Sequence, residues 1–408
     1  MKRERSFERY LHLTGIPAFV TPADGSVYLD PLWARDLSRH TYFGSQVRVL
    51  CPVVEVDEAP PGTVRFEQAG VEFAFLPHAT SIVRYLLSGG WFRALWRQWR
   101  HLRWPNVVFM GFVEHPIPYG WTAAPMAWVR RVPWYTFIES SPWRVPPGVA
   151  SKWKHRLRAA VAERVNRFAF RRASFAFISQ PAYAGFLRPD CPRLVSPASW
   201  FLHEERATPQ QIGDAREAAA HRRPHLMFLG RLDPGKGIET LLEMVELLDR
   251  PGFEVQLTVL GSGQLRGRVE QVAATLRHVE LLLGTPVPYG PAFFAMLRGA
   301  DVLVVPNLGD EQPRNVFDAY SQGVPVLASD TTGLRSIVQD GVTGRLVPAG
   351  DAHALAAAIR ELLQPDQRLR WAGFGDAGYD IASHYDHDDM HRQRATFVEG
   401  LQADRFSG

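Results

Sequence analysis

The stretch 225–248, "HLMFLGRLDPGKGIETLLEMVELL", decides the fold of the C-terminal half of this chain. It begins with a short apolar run that ends at Gly230, and it continues through a polar loop. It then enters a segment whose apolar residues recur on one helical face. A buried strand, a loop and an amphipathic helix in this order predict the repeating unit of an α/β domain with a parallel sheet.

The same alternation continues along the chain to about residue 385. The next apolar runs of strand length are "FEVQLTVLG", "VELLLG", "DVLVVP" and "VPVLAS", with helical patterns between them and a last helix over 351–363. Strands that are apolar on both faces indicate a parallel sheet covered by helices on both sides. We therefore predict a Rossmann-like domain over residues 201–385.

The N-terminal half carries a similar but less regular pattern. Its apolar runs of strand length lie at 47–54, 71–77, 106–113, 133–138 and 175–179. A chain of 408 residues also exceeds what one hydrophobic core ordinarily supports. These observations predict a second Rossmann-like domain over residues 1–200, and a tail over 386–408 that packs back on it.

Charge separates the two halves of the chain. Residues 1–200 carry 26 Lys and Arg against 14 Asp and Glu, a net charge of +12, whereas the remainder carries 20 against 28, or −8. One half is therefore expected to face an anionic partner. Two cysteines, Cys51 and Cys191, make no disulfide framework, and the sequence shows no signal core and no membrane-spanning run. These features favour a cytoplasmic protein.

The loop after Gly230 has the composition of an anion site. Arg231 and Lys236 lie within it, and Gly235 and Gly237 leave room around the backbone before the next helix begins. The free N–H groups and the dipole of a helix N-terminus favour negative charge, and two cations beside them suit a diphosphate. An ordinary surface loop is the alternative.

A second glycine-rich turn, "LGSGQLRG" at 260–267, also follows a strand. Dinucleotide-binding enzymes need a third glycine three residues after the second, and position 266 is Arg. The pattern therefore favours a tight strand-to-helix turn over an oxidoreductase.

The stretch 306–326, "PNLGDEQPRNVFDAYSQGVPV", places carboxylates at the start of a helix between two strands. One interpretation is a capping box in which Asn315 begins the helix and Asp318 completes it. The other is that Asp318 accepts hydrogen bonds from the hydroxyls of a ribose, next to the diphosphate held by Arg231 and Lys236.

Five segments of the second half resemble those of a known protein family. The segments "GRLDPGKGIETLL", "VLGSGQLR", "LRGADVLVVPN", "DAYSQGVPVLASDTTGLRSIVQDGVTGRLVPAGD" and "LAAAIRELL" together resemble the family 4 glycosyltransferases of the GT-B fold. The resemblance implies two Rossmann-like α/β/α domains that face each other across a cleft. It also implies a nucleotide-sugar donor, with UDP favoured, and transfer with retention of anomeric configuration without a metal or other cofactor.

The resemblance also implies residue roles. Arg231 and Lys236 would hold the donor diphosphate, and the two glutamates of the family, separated by seven residues, fall on Asp310 and Asp318. Both are shorter here, so that either Asp310 or Glu311 is the candidate acid near the reacting carbon. The complete set of candidate donor-binding residues is Gly230, Arg231, Lys236, Gly261, Arg314, Asn315, Val316 and Asp318.

The first domain is expected to hold the acceptor. The family's usual Gly-Gly after the first strand is missing, and the segment 22–37, with Gly25 as its likeliest close-approach residue, takes that place. Glu114, His115 and Glu139 follow predicted strands, where ligands of parallel sheets bind. All three are candidates to orient an acceptor hydroxyl, His115 as a catalytic residue and Glu114 and Glu139 as acceptor-binding residues, while each has a structural alternative.

The segment 91–104, "WFRALWRQWRHLRW", combines aromatic and basic residues. Trp91, Trp96 and Trp99 fall on one stripe, flanked by Arg93, Arg97 and Arg100. A sheet-covering helix with solvated arginines, a contact with an anionic membrane surface and a nucleic-acid site are the three alternatives. We expect no nucleic-acid partner because no known nucleic-acid module is present.

Together these features predict a retaining, metal-independent glycosyltransferase that acts on a saccharide or lipid-linked saccharide in surface polysaccharide or glycoconjugate assembly. If the basic face meets a membrane, the protein would be peripheral on its inner face. A natural-product glycosyltransferase, a catalytically silent GT-B binding protein and a nucleotide-sugar epimerase are the alternatives.

Overall fold

The structure is a computed structural model that describes residues 7–78, 81–112, 117–145, 152–364 and 366–406. The chain divides into two compact units. The first unit comprises Met1–Trp143, Leu157–Pro197 and Met390–Gly408, and the second comprises Arg144–Arg156 and Ala198–Asp389. The boundaries that we predicted at 200/201 and 385/386 shift by a few residues. The short segment Arg144–Arg156, which the prediction placed in the first domain, groups with the second unit.

Strands and helices alternate through most of the described chain. The strands are β1 (Phe7–Leu13), β2 (Ala18–Val20), β3 (Val27–Leu29), β4 (Gly44–Glu55), β5 (Val64–Arg65), β6 (Val71–Pro77), β7 (Val107–Met110), β8 (Trp134–Ile138), β9 (Phe175–Ile178), β10 (Arg193–Val195), β11 (His225–Leu229), β12 (Val255–Leu260), β13 (Val279–Gly284), β14 (Val302–Val305), β15 (Val326–Ser329) and β16 (Gly344–Val347). The helices are α1 (Pro31–Arg39), α2 (Ile82–Leu87), α3 (Gly90–His101), α4 (Tyr119–Arg130), α5 (Trp153–Phe170), α6 (Pro209–Ala220), α7 (Ile238–Leu248), α8 (Arg266–Ala273), α9 (Pro291–Arg298), α10 (Asn315–Ser321), α11 (Thr332–Arg335), α12 (Ala352–Leu362), α13 (Arg368–Ser383) and α14 (His387–Phe406).

The second unit contains a six-stranded sheet in the order β13-β12-β11-β14-β15-β16. Every pairing between these strands is parallel. This order reverses direction between β11 and β14, as it does in doubly wound nucleotide-binding folds. The sheet confirms the Rossmann-like domain predicted from the C-terminal half.

Helix α7 shows why the sequence folds in this way. Its five apolar positions at helical spacing are almost completely buried against the sheet: Ile238, Leu241, Leu242, Val245 and Leu248. Burial of each such side chain contributes roughly 1.5–3 kcal/mol. The helical periodicity in the sequence therefore predicted the buried face of this helix correctly.

The first unit contains a ten-stranded sheet whose main path is β10-β9-β8-β7-β1-β4-β2-β3-β5, with β6 paired to β4. The pairings are parallel except at β2–β3 and β3–β5. From Met390 onward, α14 belongs to this unit, and its Ala395 and Val398 are buried in the same apolar cluster as Tyr10 and Trp33.

A hydrogen-bonded network of polar side chains lies buried in the first unit. The Tyr10 hydroxyl is 3.1 Å from Nδ1 of His12, 2.8 Å from Nδ1 of His40 and 3.0 Å from the Tyr135 hydroxyl. Nε2 of His40 is 3.3 Å from the carboxylate of Asp36. Burial lowers the pKa of His12 well below its ordinary value, and the neighbouring His40 adds to this effect. His40 is therefore held by hydrogen bonds within the core of the first unit.

None of the helices within the described ranges has both the length and the apolarity needed to cross a lipid bilayer.

Candidate functional site

The candidate site lies at the carboxyl ends of β11 and β14, two neighbouring strands of the second unit. The chain leaves β11 into the turn 230–237, and it leaves β14 into the loop 306–314. Because the chain continues to opposite sides of the sheet from these two strands, their ends define the switch point at which open α/β sheets bind ligands.

The turn and the loop are in direct contact through glycine. Gly237 has φ +72°, and a Cβ built on it would lie 1.8 Å from the carbonyl oxygen of Pro306. Two residues before, the carbonyl of Gly235 accepts a hydrogen bond of 3.0 Å from the backbone N–H of Leu308. No side chain larger than hydrogen fits at position 237, so this glycine permits the start of α7 to lie against the end of β14.

An ion pair joins the same two segments. Nζ of Lys236 lies 2.6 Å from Oε1 of Glu311, and the side chains are 18% and 28% exposed. The same carboxylate oxygen accepts a hydrogen bond of 3.1 Å from Nδ2 of Asn307, a residue that is almost completely buried. Glu311 thus holds the Lys236 ammonium at the N-terminal end of α7.

Arg231 has a more exposed side chain than Lys236 and is not held by a close ion pair. Its side chain is 72% exposed, and its nearest carboxylate oxygen belongs to Asp233 at 3.5 Å. An exposed pair of this kind contributes about 0–1 kcal/mol to stability. The guanidinium can therefore reorient toward an anion at little cost.

The glycine-rich segment after β12 packs against the turn. A Cβ on Gly261 would lie 1.9 Å from the Gly230 carbonyl oxygen, and the N–H of Leu232 donates to the Ser262 carbonyl at 2.9 Å. Arg266 is the first residue of α8. The predicted tight strand-to-helix turn is confirmed, and Gly261 serves the close approach of two backbones.

Asp318 is buried below the start of α10. Its side chain is 2% exposed, and Oδ1 accepts a hydrogen bond of 2.5 Å from the hydroxyl of Tyr289. Burial, reinforced by the Asp318 carboxylate, raises the pKa of the Tyr289 hydroxyl, which therefore remains a donor. The neighbouring Val316 is completely buried, so its side chain offers no surface to a ligand.

The capping-box interpretation of this helix is wrong. Arg314 is the N-cap of α10, and it makes no side-chain capping hydrogen bond. Instead, Nδ2 of Asn315 donates to the carbonyl oxygen of Leu229 at 2.8 Å. The Asn315 amide therefore ties the helix to the carboxyl end of β11 and does not cap the helix.

Aromatic rings surround Arg314, whose side chain is exposed. Its guanidinium carbon lies 5.4 Å from the centre of the Trp200 ring and 5.8 Å from that of Tyr289. The sequence analysis missed both aromatic residues, as well as Asn307. Tyr289 directly precedes the Gly-Pro that begins α9 and follows a strand end, a position that could have identified it.

The two acids near the end of β14 have different partners. Whereas Glu311 is paired with Lys236, Oδ2 of Asp310 lies 3.6 Å from Nη1 of Arg144, which also belongs to the second unit. The Asp310 side chain is 34% exposed and thus more accessible than that of Glu311. Nothing in the sequence indicated that Arg144 would reach this loop.

The candidates in the first unit are more scattered. The segment 22–37 follows β2 rather than β1. The short strand β2 was not predicted from the sequence. Gly25 has φ +71° in the turn between β2 and β3, and no atom lies within 4 Å of a Cβ built there. Glu139 follows β8, and its carbonyl accepts from Oγ of Ser179 at 3.0 Å. Glu114 and His115 lie outside the described residues.

Helix α3 turns its aromatic residues toward solvent. Ala94 and Gln98 form its buried side, whereas Phe92 and Trp96 are 64% and 55% exposed. Trp91 and Trp99 are also exposed. The prediction that these tryptophans share a stripe is confirmed. The stripe faces solvent, because the opposite face of α3, which carries the small Ala94, is the one that packs closely against the protein.

Residues 223–365 match the family model described as "Glycosyl transferases group 1". Among curated proteins, a phosphatidyl-myo-inositol mannosyltransferase of Mycobacterium leprae is 37% identical over 164 residues, which are 40% of this chain and 42% of that protein. A D-inositol 3-phosphate glycosyltransferase of Geodermatophilus obscurus is 34% identical over 169 residues, 39% of this chain and 36% of that protein. The similarity thus spans less than half the length of either relative.

Solved structures match over nearly the whole chain. Sucrose-phosphate synthase from Thermosynechococcus elongatus has a TM-score of 0.71 with 18% identity, covering 97% of this chain and 100% of that one. Anabaena HepE in complex with UDP-glucose has a TM-score of 0.66 with 15% identity, at 97% and 100% coverage. At these identities the likeness establishes the fold. It is the two-domain α/β fold with parallel sheets known as GT-B, as predicted.

Proposed function

We propose that this protein is a retaining glycosyltransferase that moves a sugar from a nucleotide-sugar donor to a hydroxyl acceptor. The observation that carries the proposal is the contact between the turn 230–237 and the loop 306–311, joined by Lys236 and Glu311. This contact places two cations, a helix N-terminus and two acids around the switch point of a parallel sheet. The matched glycosyltransferase family region includes all of these residues.

The cations act on the leaving group in this proposal. The bond between the anomeric carbon and the diphosphate oxygen breaks, and negative charge grows on the diphosphate. Arg231 and Lys236 neutralise that charge, assisted by the N-terminal dipole of α7. The acceptor oxygen bonds to the anomeric carbon on the same face, and its proton passes to a diphosphate oxygen. No protein base is required, and we propose that no metal is required either.

The acids act on the growing positive charge of the sugar. Asp310 is 34% exposed and lies 3.6 Å from Nη1 of Arg144, whereas Glu311 is 28% exposed and is held more closely by Lys236, at 2.6 Å. We therefore assign Asp310 to the sugar ring and Glu311 to holding Lys236 for the diphosphate. A carboxylate near an oxocarbenium-like centre stabilises it electrostatically.

The nucleoside end of the donor would lie near Asp318. In this proposal the Asp318 carboxylate, which has about four acceptor positions, accepts from the ribose hydroxyls. Because its side chain is 2% exposed, the donor must displace part of the Tyr289 contact to reach it. Arg314, Trp200 and Tyr289 supply a cation and two aromatic rings beside it. Anabaena HepE was solved with UDP and with UDP-glucose, which supports UDP as the donor nucleotide here.

A lipid-linked saccharide or another membrane-bound alcohol is the acceptor class that we favour. Relatives of the second unit include phosphatidyl-myo-inositol mannosyltransferases, whose substrate name is that of a lipid. The exposed face of α3 fits this assignment, because tryptophans next to Arg93, Arg97 and Arg100 suit the headgroup region of an anionic bilayer. The protein would then be peripheral on the cytoplasmic face of a membrane.

Donor binding and turnover are the first experiment. A thermal-shift panel of UDP, GDP, ADP and TDP, with and without attached sugars, identifies the donor. Transfer to a polyprenyl-linked or phosphatidylinositol acceptor is then followed by NMR of the anomeric proton. A product with the donor's anomeric configuration is expected. Tight nucleotide binding without hydrolysis or transfer would instead indicate a silent binding protein, and an epimerised donor an epimerase.

Sedimentation with liposomes tests the membrane assignment separately. The wild-type protein should pellet with vesicles containing phosphatidylglycerol, and less so as salt rises. Trp96→Ala should reduce the pelleted fraction. Leu282→Ala, which removes an exposed apolar side chain in the second unit, is the matched control and should not. Equal pelleting of both variants, or no pelleting of wild type, rejects the assignment.

A further inference from the structure

A cavity of about 310 Å³ lies in the second unit, at the edge of the sheet opposite to the nucleotide-sugar site. Three of its lining residues directly precede strands: Pro224 before β11, Asp301 before β14 and Pro325 before β15. In a parallel sheet these N-terminal strand ends lie at the far edge from the carboxyl ends. The cavity is therefore separate from the site described above.

The walls of the cavity are mainly apolar. They come from α6, α12 and α13, and they include Ile212, Leu362 and Trp371. Leu369 also lines the cavity, although its side chain is 84% exposed. An apolar side chain left in water at a concave site gains roughly 25 cal/mol per Å² that a ligand covers. Such a lining favours a ligand with an apolar body.

One polar group in the wall has no partner. Trp371 is 1% exposed, and its indole Nε1 is buried without a hydrogen-bond acceptor in the part of the chain that the structure describes. An unpaired buried donor costs about 1–3 kcal/mol. A small rotation of the indole would bring this N–H to the cavity surface, where a ligand oxygen that accepts from it would recover that cost.

One cation in the wall is also uncompensated by a carboxylate. Nη1 of Arg298 donates to Oε1 of Gln322 at 2.8 Å, and no carboxylate of the described residues lies within ion-pair distance. Burial lowers the pKa of this guanidinium below its ordinary value. Two other charges of the lining are paired, Asp301 with Arg222 at 2.8 Å and Arg216 with Asp376 at 2.7 Å, whereas the lining residue Arg368 is exposed. An anionic ligand group would complete the coordination of Arg298.

We propose that this cavity binds a small amphipathic acid, with its apolar ring or short alkyl chain against the walls and its anionic oxygens toward Arg298 and the Trp371 N–H. The volume is at the lower end of the roughly 300–1,000 Å³ of known ligand pockets, which limits the ligand to a small one. This proposal does not depend on the glycosyltransferase activity.

Isothermal titration calorimetry with octanoate and 1-naphthoate tests the proposal on the full chain. At least one acid should bind saturably, and the matching neutral alcohol should bind about tenfold more weakly, because it lacks the charge that Arg298 recognises. Trp371→Phe keeps the apolar wall and removes the N–H, so it should weaken binding about five- to tenfold. UDP should neither compete with the acid nor be displaced by it.

A matched pair of variants on α6 locates the site. Ala219 lines the cavity, whereas the neighbouring Ala218 is exposed and does not. Ala219→Phe should abolish binding of the acid, and Ala218→Phe should leave it unchanged. Arg298→Gln provides a second test if Ala219→Phe fails to fold, and it should remove the preference for acid over alcohol. Absence of saturable binding to wild type, or equal binding by both α6 variants, overturns the proposal.

Discussion

Replacing Lys236 by Gln is the most informative single change at the proposed diphosphate site. A cation and a phosphate charge about 4 Å apart interact by roughly 4 kcal/mol at an effective dielectric constant near 20. Desolvation and the existing pair with Glu311, at 2.6 Å, reduce the net value. A hydrogen bond to a charged group is worth about 1.5–3 kcal/mol, which corresponds to a loss of about 10- to 150-fold in affinity.

The ion pair between Lys236 and Glu311 allows a second, compensating substitution to be tested. In the Lys236→Gln variant the Glu311 carboxylate loses its cation and repels the diphosphate, so adding Glu311→Gln should restore part of the lost affinity. Titration calorimetry with the nucleotide identified by the thermal-shift panel measures both variants. Arg277→Gln removes an exposed charge just before β13 and is the control. The reasoning is refuted if Lys236→Gln binds as tightly as wild type, or if Arg277→Gln loses as much.

Three further outcomes follow from the geometry. Gly237→Ala should lower the free energy of unfolding by at least about 1–3 kcal/mol in denaturant titrations, and it should impair nucleotide binding. The control is Gly267→Ala in α8, where a Cβ meets no other atom, and it should be neutral or slightly stabilising. Tyr289→Phe removes the hydroxyl that donates to the buried Asp318 carboxylate, so it should lower the free energy of unfolding by about 1–3 kcal/mol. An unchanged denaturation midpoint would contradict a stabilising role for this hydrogen bond. The folded-state pKa of His12 is lowered, so stability should fall by up to about 1.4 kcal/mol per unit as pH drops below about 6.5. His12→Asn should flatten this dependence, and an identical pH profile in both proteins would contradict it.

The periodicity of the second half predicted its fold because five of its six strands are mainly apolar and helices such as α7 and α12 have one apolar face. The prediction missed β16, whose four residues, GRLV, include a charged one. In the first unit the prediction missed β1, whose sequence "FERYLHL" mixes charged and apolar residues. It also missed β2 and β3, which are three residues each and too short to show a period. The predicted strand 106–113 is shorter, Val107–Met110, in the structure.

The candidate site was predictable where its parts are local and unpredictable where they are not. Arg231, Lys236 and their glycines lie within one turn, and this spacing identifies them. The pairing of Lys236 with Glu311 and the hydrogen bond from Tyr289 to Asp318 join segments far apart in sequence. Such contacts depend on which strands are neighbours in the sheet, and the order of strands cannot be predicted from a local sequence pattern.

Hydrogen–deuterium exchange with and without UDP tests most directly whether one nucleotide is held by both segments at the switch point. The account predicts that UDP slows exchange together in peptides covering 229–240 and 306–318, and that it leaves peptides covering α6 and α13 unchanged. Slowing confined to one of the two segments, or found only elsewhere in the chain, would contradict it.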